Sequence, residues 1–252
     1  MQTLLNTPHE IIQQNILGAA AKAKTRILNI LVLGMMAGSF IAMGAQSSSL
    51  AVHNISNIGL ARTLAGCIFP VGLMMIVFVG GELFTGDCMM SMAWMQRKIH
   101  FADMLRTLVL VYVSNFVGAA LIAFLVAHSG QYDYSSGALG AYTIKVAYGK
   151  VHLSFANALV SGILCNILVC VAVLMAAAAK DIAGKVLAIF FPILAFVVSG
   201  FEHCVANMYY IPAGIFASKN AAYAAKAFEL YNIDSTQLSS LNWGSFAISN
   251  LI

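Results

Sequence analysis

The sequence predicts an all-α integral membrane protein, and composition is the first reason. Of its 252 residues, 61% are hydrophobic and only 9% are charged, against about 25% charged residues in an ordinary soluble domain. The mean hydropathy is +0.87. A soluble protein of this length would need far more surface charge, so burial against lipid is the simplest explanation. We therefore expect residues 1–252 to form a single transmembrane domain.

Five segments approach the length of about 20 mainly apolar residues that a spanning helix needs. The first three predicted spans cover residues 27–46, 63–81 and 107–128. The fourth covers residues 153–179, and the fifth begins near Val186.

The two ends of the chain are more polar. Residues 1–25 predict a helix whose apolar face is formed by Leu5, Ile11, Ile12, Ile16 and Leu17. Such a helix either lies in the membrane interface or packs on the bundle, and the sequence leaves both open. Residues 218–252 are polar and partly helical and contain no sixth span. We expect a truncated chain.

Two of the five spans are interrupted by acidic residues. Glu82 interrupts the second span within GGELFTGD, and Glu202 and His203 interrupt the fifth within SGFEHCVANM. An acidic side chain at bilayer depth is costly, so it faces protein or a water-filled cavity. The neighbouring Gly80 and Gly200 permit a non-helical backbone, which is tolerated at this depth only inside protein or along a cavity.

The two interruptions suggest related halves. Both contain the pattern Gly-x-Glu, ending at Glu82 and at Glu202. Interrupted spans at matching positions of two halves indicate a transport site. We therefore expect residues 27–128 to form a first repeat and residues 150–252 a second, incomplete one.

The basic residues predict the orientation. With a cytoplasmic N-terminus, eight of the 13 lysines and arginines lie inside and five outside, which follows the positive-inside rule. We therefore expect a multi-pass protein of the cell (inner or plasma) membrane. The net charge of +4 is too small and too dispersed for a nucleic-acid partner.

Several motifs, in order along nearly the whole chain, resemble the formate/nitrite transporter family. They are GGELFTGD, SNFVGA, KVHLSF, GILCNILVC and SGFEHCVANMYYIPAGI. The resemblance implies an aquaporin-like fold with six spans in two inverted repeats, and a homopentamer with one pore in each protomer. It also implies passage of small monovalent weak-acid anions such as formate, nitrite or hydrosulfide. The missing sixth span is a departure from the family pattern.

The resemblance also assigns roles to individual residues. Thr85 and His203 match pore residues at the two breaks, Lys150 matches an anion-attracting residue, and Asn166 matches a position that orients the histidine. Positions that form two hydrophobic constrictions, one on each side of His203, are matched by Phe69, Leu73, Leu83, Phe84 and Phe196.

Glu82 and Glu202 are expected to support the broken backbone, because a bare carboxylate would repel an anion. No cofactor, metal site or enzymatic activity is expected. The histidines at the ends of spans, His100, His128 and His152, lack the ligand spacing of a metal site.

The transport mechanism has alternatives. A bare anion entering a dry pore faces a Born cost of order 20 kcal/mol. We therefore hypothesise attraction by Lys150, proton transfer involving His203, and passage as a neutral acid or proton-paired anion. A channel that passes the charged anion remains open, and an ammonium or neutral-solute channel is the alternative function.

Overall fold

The computed structural model describes residues 5–251, and this part of the chain is helical apart from turns and one isolated bridge between Leu5 and Ala179. The first half contains α1 (Pro8–Lys22), α2 (Ile27–Val52), α3 (Ile58–Ile68), α4 (Val71–Val79), α5 (Phe84–Asp87), α6 (Met90–Met95) and α7 (Phe101–Ala127). The second half contains α8 (Ala138–Val151), α9 (Phe155–Ala178), α10 (Ile182–Ser199), α11 (Cys204–Ser218), α12 (Ala221–Tyr231), α13 (Ser235–Ser239) and α14 (Trp243–Phe246).

Five segments within residues 5–251 are long and apolar enough to cross a membrane, which confirms the five predicted spans. The second runs over Ile58–Val79 and so begins five residues before the predicted start. Asn57 explains the difference, because its side chain accepts a hydrogen bond from the Leu60 N–H and caps the helix. Asp181 likewise caps α10, which therefore begins at Ile182 rather than near Val186.

Close contact between α2 and α7 depends on glycines. A Cβ added to Gly38 would lie 2.0 Å from the carbonyl oxygen of Asn115, and one added to Gly118 would lie 2.0 Å from that of Met35. Gly34 is equally restricted by the Ser114 hydroxyl. The close helix contact typical of a Gly-xxx-Gly pair is therefore present.

Adding one methyl group at this contact is expected to destabilise the fold. Gly38→Ala forces α2 and α7 apart and should cost at least about 2 kcal/mol, since a backbone atom cannot move aside as a side chain can. Gly162→Ala on α9 is the matched control, because its new Cβ would meet nothing within 4 Å. Thermal unfolding in detergent measures both variants, and equal midpoints would contradict the prediction.

The predicted N-terminal helix is present as α1 and packs on the bundle. Thr7 and Glu10 form a capping box at its start. Ile16 and Ala19 are buried against a small cluster that includes Met90 and Ala93 of α6. Leu17 stays 68% exposed, so α1 also presents an apolar residue away from the bundle. We call the side of the bundle that carries α1 the α1 side, and the opposite side the far side.

Both predicted breaks are present. Helix α4 ends at Gly80, which has φ +104°, and residues 81–83 are not helical before α5 begins. Helix α10 ends at Gly200, which has φ +72°, and residues 201–203 separate it from α11. Both glycines adopt left-handed backbone conformations that other residues rarely adopt, so each ends its helix sharply.

The region beyond α11 is helical in short pieces, as predicted. It packs back on the bundle through aromatic contacts. Phe246 stacks on Phe116 of α7 with 5.1 Å between ring centroids, and Trp243 contacts Phe216 of α11 at 5.8 Å. Helix α8, by contrast, was not predicted, and its last turn carries Lys150.

Candidate functional site

The two breaks meet at a pair of buried polar side chains. The Thr85 hydroxyl lies 3.2 Å from Nε2 of His203, although the residues are 118 positions apart. Thr85 is 5% exposed and His203 is 3% exposed. The folding of the two breaks therefore brings together the two residues that were predicted to lie in the pore.

The second ring nitrogen of His203 is fixed by the backbone. The N–H of Ala206 donates a 3.0 Å hydrogen bond to Nδ1, so His203 serves as the N-cap of α11. An acceptor nitrogen carries no proton, which places the proton of the neutral ring on Nε2. Nε2–H thus points toward Thr85 as a hydrogen-bond donor, and protonating Nδ1 would break the cap.

Lys150 reaches the second break but forms an ion pair there. Its ammonium donates to both carboxylate oxygens of Glu202, at 2.8 and 2.7 Å. Asn207 donates a further hydrogen bond to this carboxylate at 2.9 Å. The charge of Lys150 is therefore largely balanced by Glu202, which sequence reasoning did not anticipate.

The first break has a similar ion pair that sequence reasoning missed. The ammonium of Lys22, at the end of α1, lies 2.5 Å from Oδ1 of Asp87 and also contacts the Glu82 carboxylate. Burial disfavours the charged lysine, but Asp87 and Glu82 outweigh this effect and raise the pKa of Lys22. The available signal was Asp87 in GGELFTGD, an unpaired acid at predicted membrane depth.

The broken backbone is held by uncharged side chains rather than by the glutamates. Asn115 donates to the carbonyl oxygens of Gly34 and Glu82, both at 2.8 Å, and accepts from the Phe84 N–H at 3.0 Å. At the second break, the Ser161 hydroxyl accepts from the Glu202 N–H at 2.8 Å. The carboxylates of Glu82 and Glu202, which were expected to support the broken backbone, bind Lys22 and Lys150, and that of Glu202 also binds Asn207 of α11.

Two cavities approach the Thr85–His203 pair from opposite sides. The far-side cavity has a volume of about 170 Å³ and is lined by Lys150, Phe69, Phe196 and His203, among others. The α1-side cavity, of about 230 Å³, is lined by Lys22, Gly86 and Asp87 together with residues of α1 and α6. His203 itself lines the far-side cavity, whereas the α1-side cavity comes as close as Gly86, the residue after Thr85. Each cavity contains a lysine paired with a carboxylate.

Comparisons with known proteins identify the family. The sequence profile described as "Formate/nitrite transporter" matches residues 9–252. The chain belongs to the formate/nitrite transporter family. It is 38% identical over 213 residues to the formate channel BtFdhC of Bacillus thuringiensis, covering 83% of this chain and 82% of that protein. It is 35% identical over 237 residues to the formate channel FocA of Haemophilus influenzae, covering 93% and 82%.

Solved structures agree with this assignment. A pentameric formate channel with formate bound superimposes with a TM-score of 0.77 and 29% identity, covering 89% of this chain and 88% of that one. Membership of the formate/nitrite transporter family makes the chain a multi-pass membrane transport protein rather than an enzyme. The family does not favour the ammonium or neutral-solute alternative.

The constriction positions inferred from the formate/nitrite transporter family fall into separate groups. Phe69 and Phe196 meet edge to face at 5.4 Å, and the Phe196 ring lies 5.9 Å from the imidazole of His203. Leu73 and Leu83 are buried in the same core. Phe84 is only partly buried and packs against Tyr112 of α7, with 4.8 Å between ring centroids.

Asn166, which the family resemblance predicts to orient His203, forms no hydrogen bond with it within residues 5–251. The hydrogen bond that orients His203 comes from the backbone of Ala206, not from Asn166. The Asn166 side chain instead lies near two thiols, those of Cys170 at 3.9 Å and Cys88. The correction has a simple cause, since His203 begins a helix whose free N–H groups already provide a donor.

Proposed function

We propose that the protein is a channel for small monovalent weak-acid anions of the formate, nitrite or hydrosulfide type. The observation that carries this proposal is the buried Thr85–His203 pair, whose histidine lines the far-side cavity. Its relatives include proteins described as formate channels. Because the Thr85 hydroxyl accepts from Nε2–H of His203, its own proton is free to be donated, which fits an anion oxygen better than a cation.

In this proposal the anion is passed along fixed donors. Nε2–H of His203 and the Thr85 hydroxyl contact it at the centre. Lys150 keeps an ammonium near the far-side cavity, and Lys22 does the same on the α1 side. Because each ammonium is paired with a carboxylate, it supplies hydrogen-bond donors without binding the anion as strongly as a free charge would.

The apolar residues form the two constrictions in this proposal. Phe69 and Phe196 narrow the passage on the far side of His203, where all three residues line the same cavity. Leu73, Leu83 and Phe84 narrow it toward the α1 side. Asn166 is proposed to line the pore near Cys170 without orienting the histidine.

Proton coupling takes a particular form in the proposed channel. His203 stays neutral, because its Nδ1 is occupied by the Ala206 N–H. A proton that crosses with the anion is therefore carried by the anion itself or by water, and His203 acts as a donor of a hydrogen bond. The competing possibility is that the anion crosses without a proton, in which case its uptake would not acidify the liposome interior.

The proposed assembly and orientation follow from the same family. A solved relative is described as pentameric, and we propose a homopentamer with a pore in each protomer and residues 27–128 and 150–252 as inverted repeats. The α1 side is cytoplasmic in this proposal, because it carries most of the basic residues. The membrane is the cell (inner or plasma) membrane.

The decisive experiment compares solutes in proteoliposomes that contain the purified protein. We expect formate and nitrite to enter at least about tenfold faster than into empty liposomes, whereas methylammonium enters at the empty-liposome rate. A trapped pH dye reports whether a proton accompanies each anion. Uptake of methylammonium without uptake of formate would overturn the proposed function.

A further inference from the structure

The far-side cavity has a cation at its rim that the proposed mechanism does not use. Arg62 lies in the second turn of α3, and Ala65 and Phe69, which follow it by three and seven residues, line the cavity. Residues with this spacing share one face of a helix. Arg62 therefore lies on the cavity-facing side of α3, between the cavity and the N-terminal end of the helix.

The guanidinium of Arg62 extends over the second break. A Cβ built on Gly200 would lie 3.4 Å from the central carbon and from both terminal nitrogens of this group. Gly200 itself lines the far-side cavity. The guanidinium therefore lies beside the position that a side chain at residue 200 would occupy, where α10 ends.

The charge of Arg62 is not balanced. Within residues 5–251, the ion pairs of the structure leave out Arg62, and its guanidinium forms no hydrogen bond there. Lys150 is neutralised by Glu202. Lys145 lies over the ring of Tyr231 on α12, 4.5 Å from its centroid, and does not line the cavity.

We infer that Arg62 is the anion-capturing residue of the far-side mouth, and that it, rather than Lys150, raises the local anion concentration. This inference rests on the proposed function. The field of an unpaired charge attracts anions over about one Debye length of the solution. An ion pair acts as a dipole, whose field falls off faster with distance. A structural role as a cap for the C-terminal carbonyls of α10 would require hydrogen bonds that this guanidinium does not make.

The test measures formate uptake into proteoliposomes at limiting formate and at two ionic strengths. At about 10 mM salt, where the Debye length is about 30 Å, Arg62→Gln should lower the initial rate about threefold to tenfold. Above about 300 mM salt the difference should shrink below about twofold. Arg62→Lys should keep most of the wild-type rate, and the maximal rate at saturating formate should stay unchanged.

Lys219→Gln is the matched control. It removes one positive charge on the far side, where Lys219 lies beside the ring of Phe216 outside the cavity. This variant should behave like wild type at both ionic strengths. Wild-type rates in Arg62→Gln at low salt, or a deficit that salt does not change, would overturn the inference. Absence of formate uptake in the wild type would instead overturn the proposed function.

Discussion

Lys150→Met is expected to destabilise the protein by about 3–5 kcal/mol and to abolish most anion flux. The substitution leaves the Glu202 carboxylate, only 14% exposed, with Asn207 as its remaining side-chain partner. Removing one member of a largely buried pair leaves an uncompensated charge, and the cost approaches that of a fully buried pair. The unpaired carboxylate also places negative charge beside the route of an anion. Thermal unfolding in detergent and proteoliposome uptake measure the two effects.

A double variant separates the two effects. Lys150→Met with Glu202→Gln removes both charges, and it should recover most of the lost stability, because a neutral amide can still accept from Asn207. Lys226→Met is the control, since Lys226 also pairs with a glutamate but on the exposed surface, where such pairs contribute about 0–1 kcal/mol. If Lys150→Met were no less stable than Lys226→Met, the Lys150–Glu202 pair would not stabilise the fold.

The breaks at Gly80 and Gly200 could be predicted from the sequence for a physical reason. A glycine two residues before a glutamate, inside an apolar run of about 20 residues, favours a break in the helix that is buried in protein or lines a cavity. The five spans could also be predicted, from their length and hydropathy. The first residues of α3 and α10 could not, because Asn57 and Asp181 set them through single capping hydrogen bonds.

The ion pairs could not be predicted, because they join residues that are far apart in sequence. Lys22 reaches Glu82 and Asp87 from a helix outside the apolar spans. Lys150 depends on α8, whose mixed composition predicts no spanning helix. Hydropathy identifies the position of a buried carboxylate but not the cation that balances it.

Asn115 and Asn166 show the same limit for uncharged residues. Both are asparagines within apolar spans, and hydropathy alone does not distinguish their roles. In the structure Asn115 bridges α2 and the first break through three hydrogen bonds, whereas Asn166 lies beside thiols. The difference depends on which backbone N–H and C=O groups near each asparagine lack a hydrogen bond within a helix. Only the fold determines this.

His203→Asn is expected to lower anion flux at least about tenfold while leaving the fold intact. Asparagine is among the best N-cap residues, so its side-chain oxygen can accept from the Ala206 N–H and start α11 as His203 does. Its side chain is too short to place a donor where Nε2–H lies, 3.2 Å from the Thr85 hydroxyl. A hydrogen bond to a charged group contributes about 1.5–3 kcal/mol, which corresponds to the expected loss.

His203→Gln is the complementary variant, because its longer side chain can carry an N–H toward Thr85 but is a poor cap for α11. We expect it to be less stable than His203→Asn in thermal unfolding and to retain more flux per folded protein. Full activity of His203→Asn would contradict the donor role of Nε2–H. The pair of variants thus separates the two nitrogens of one ring, of which Nδ1 caps α11 and Nε2 is proposed to donate to the anion. In the proposed channel this division keeps His203 neutral, since the backbone already occupies the nitrogen that would otherwise take up a proton.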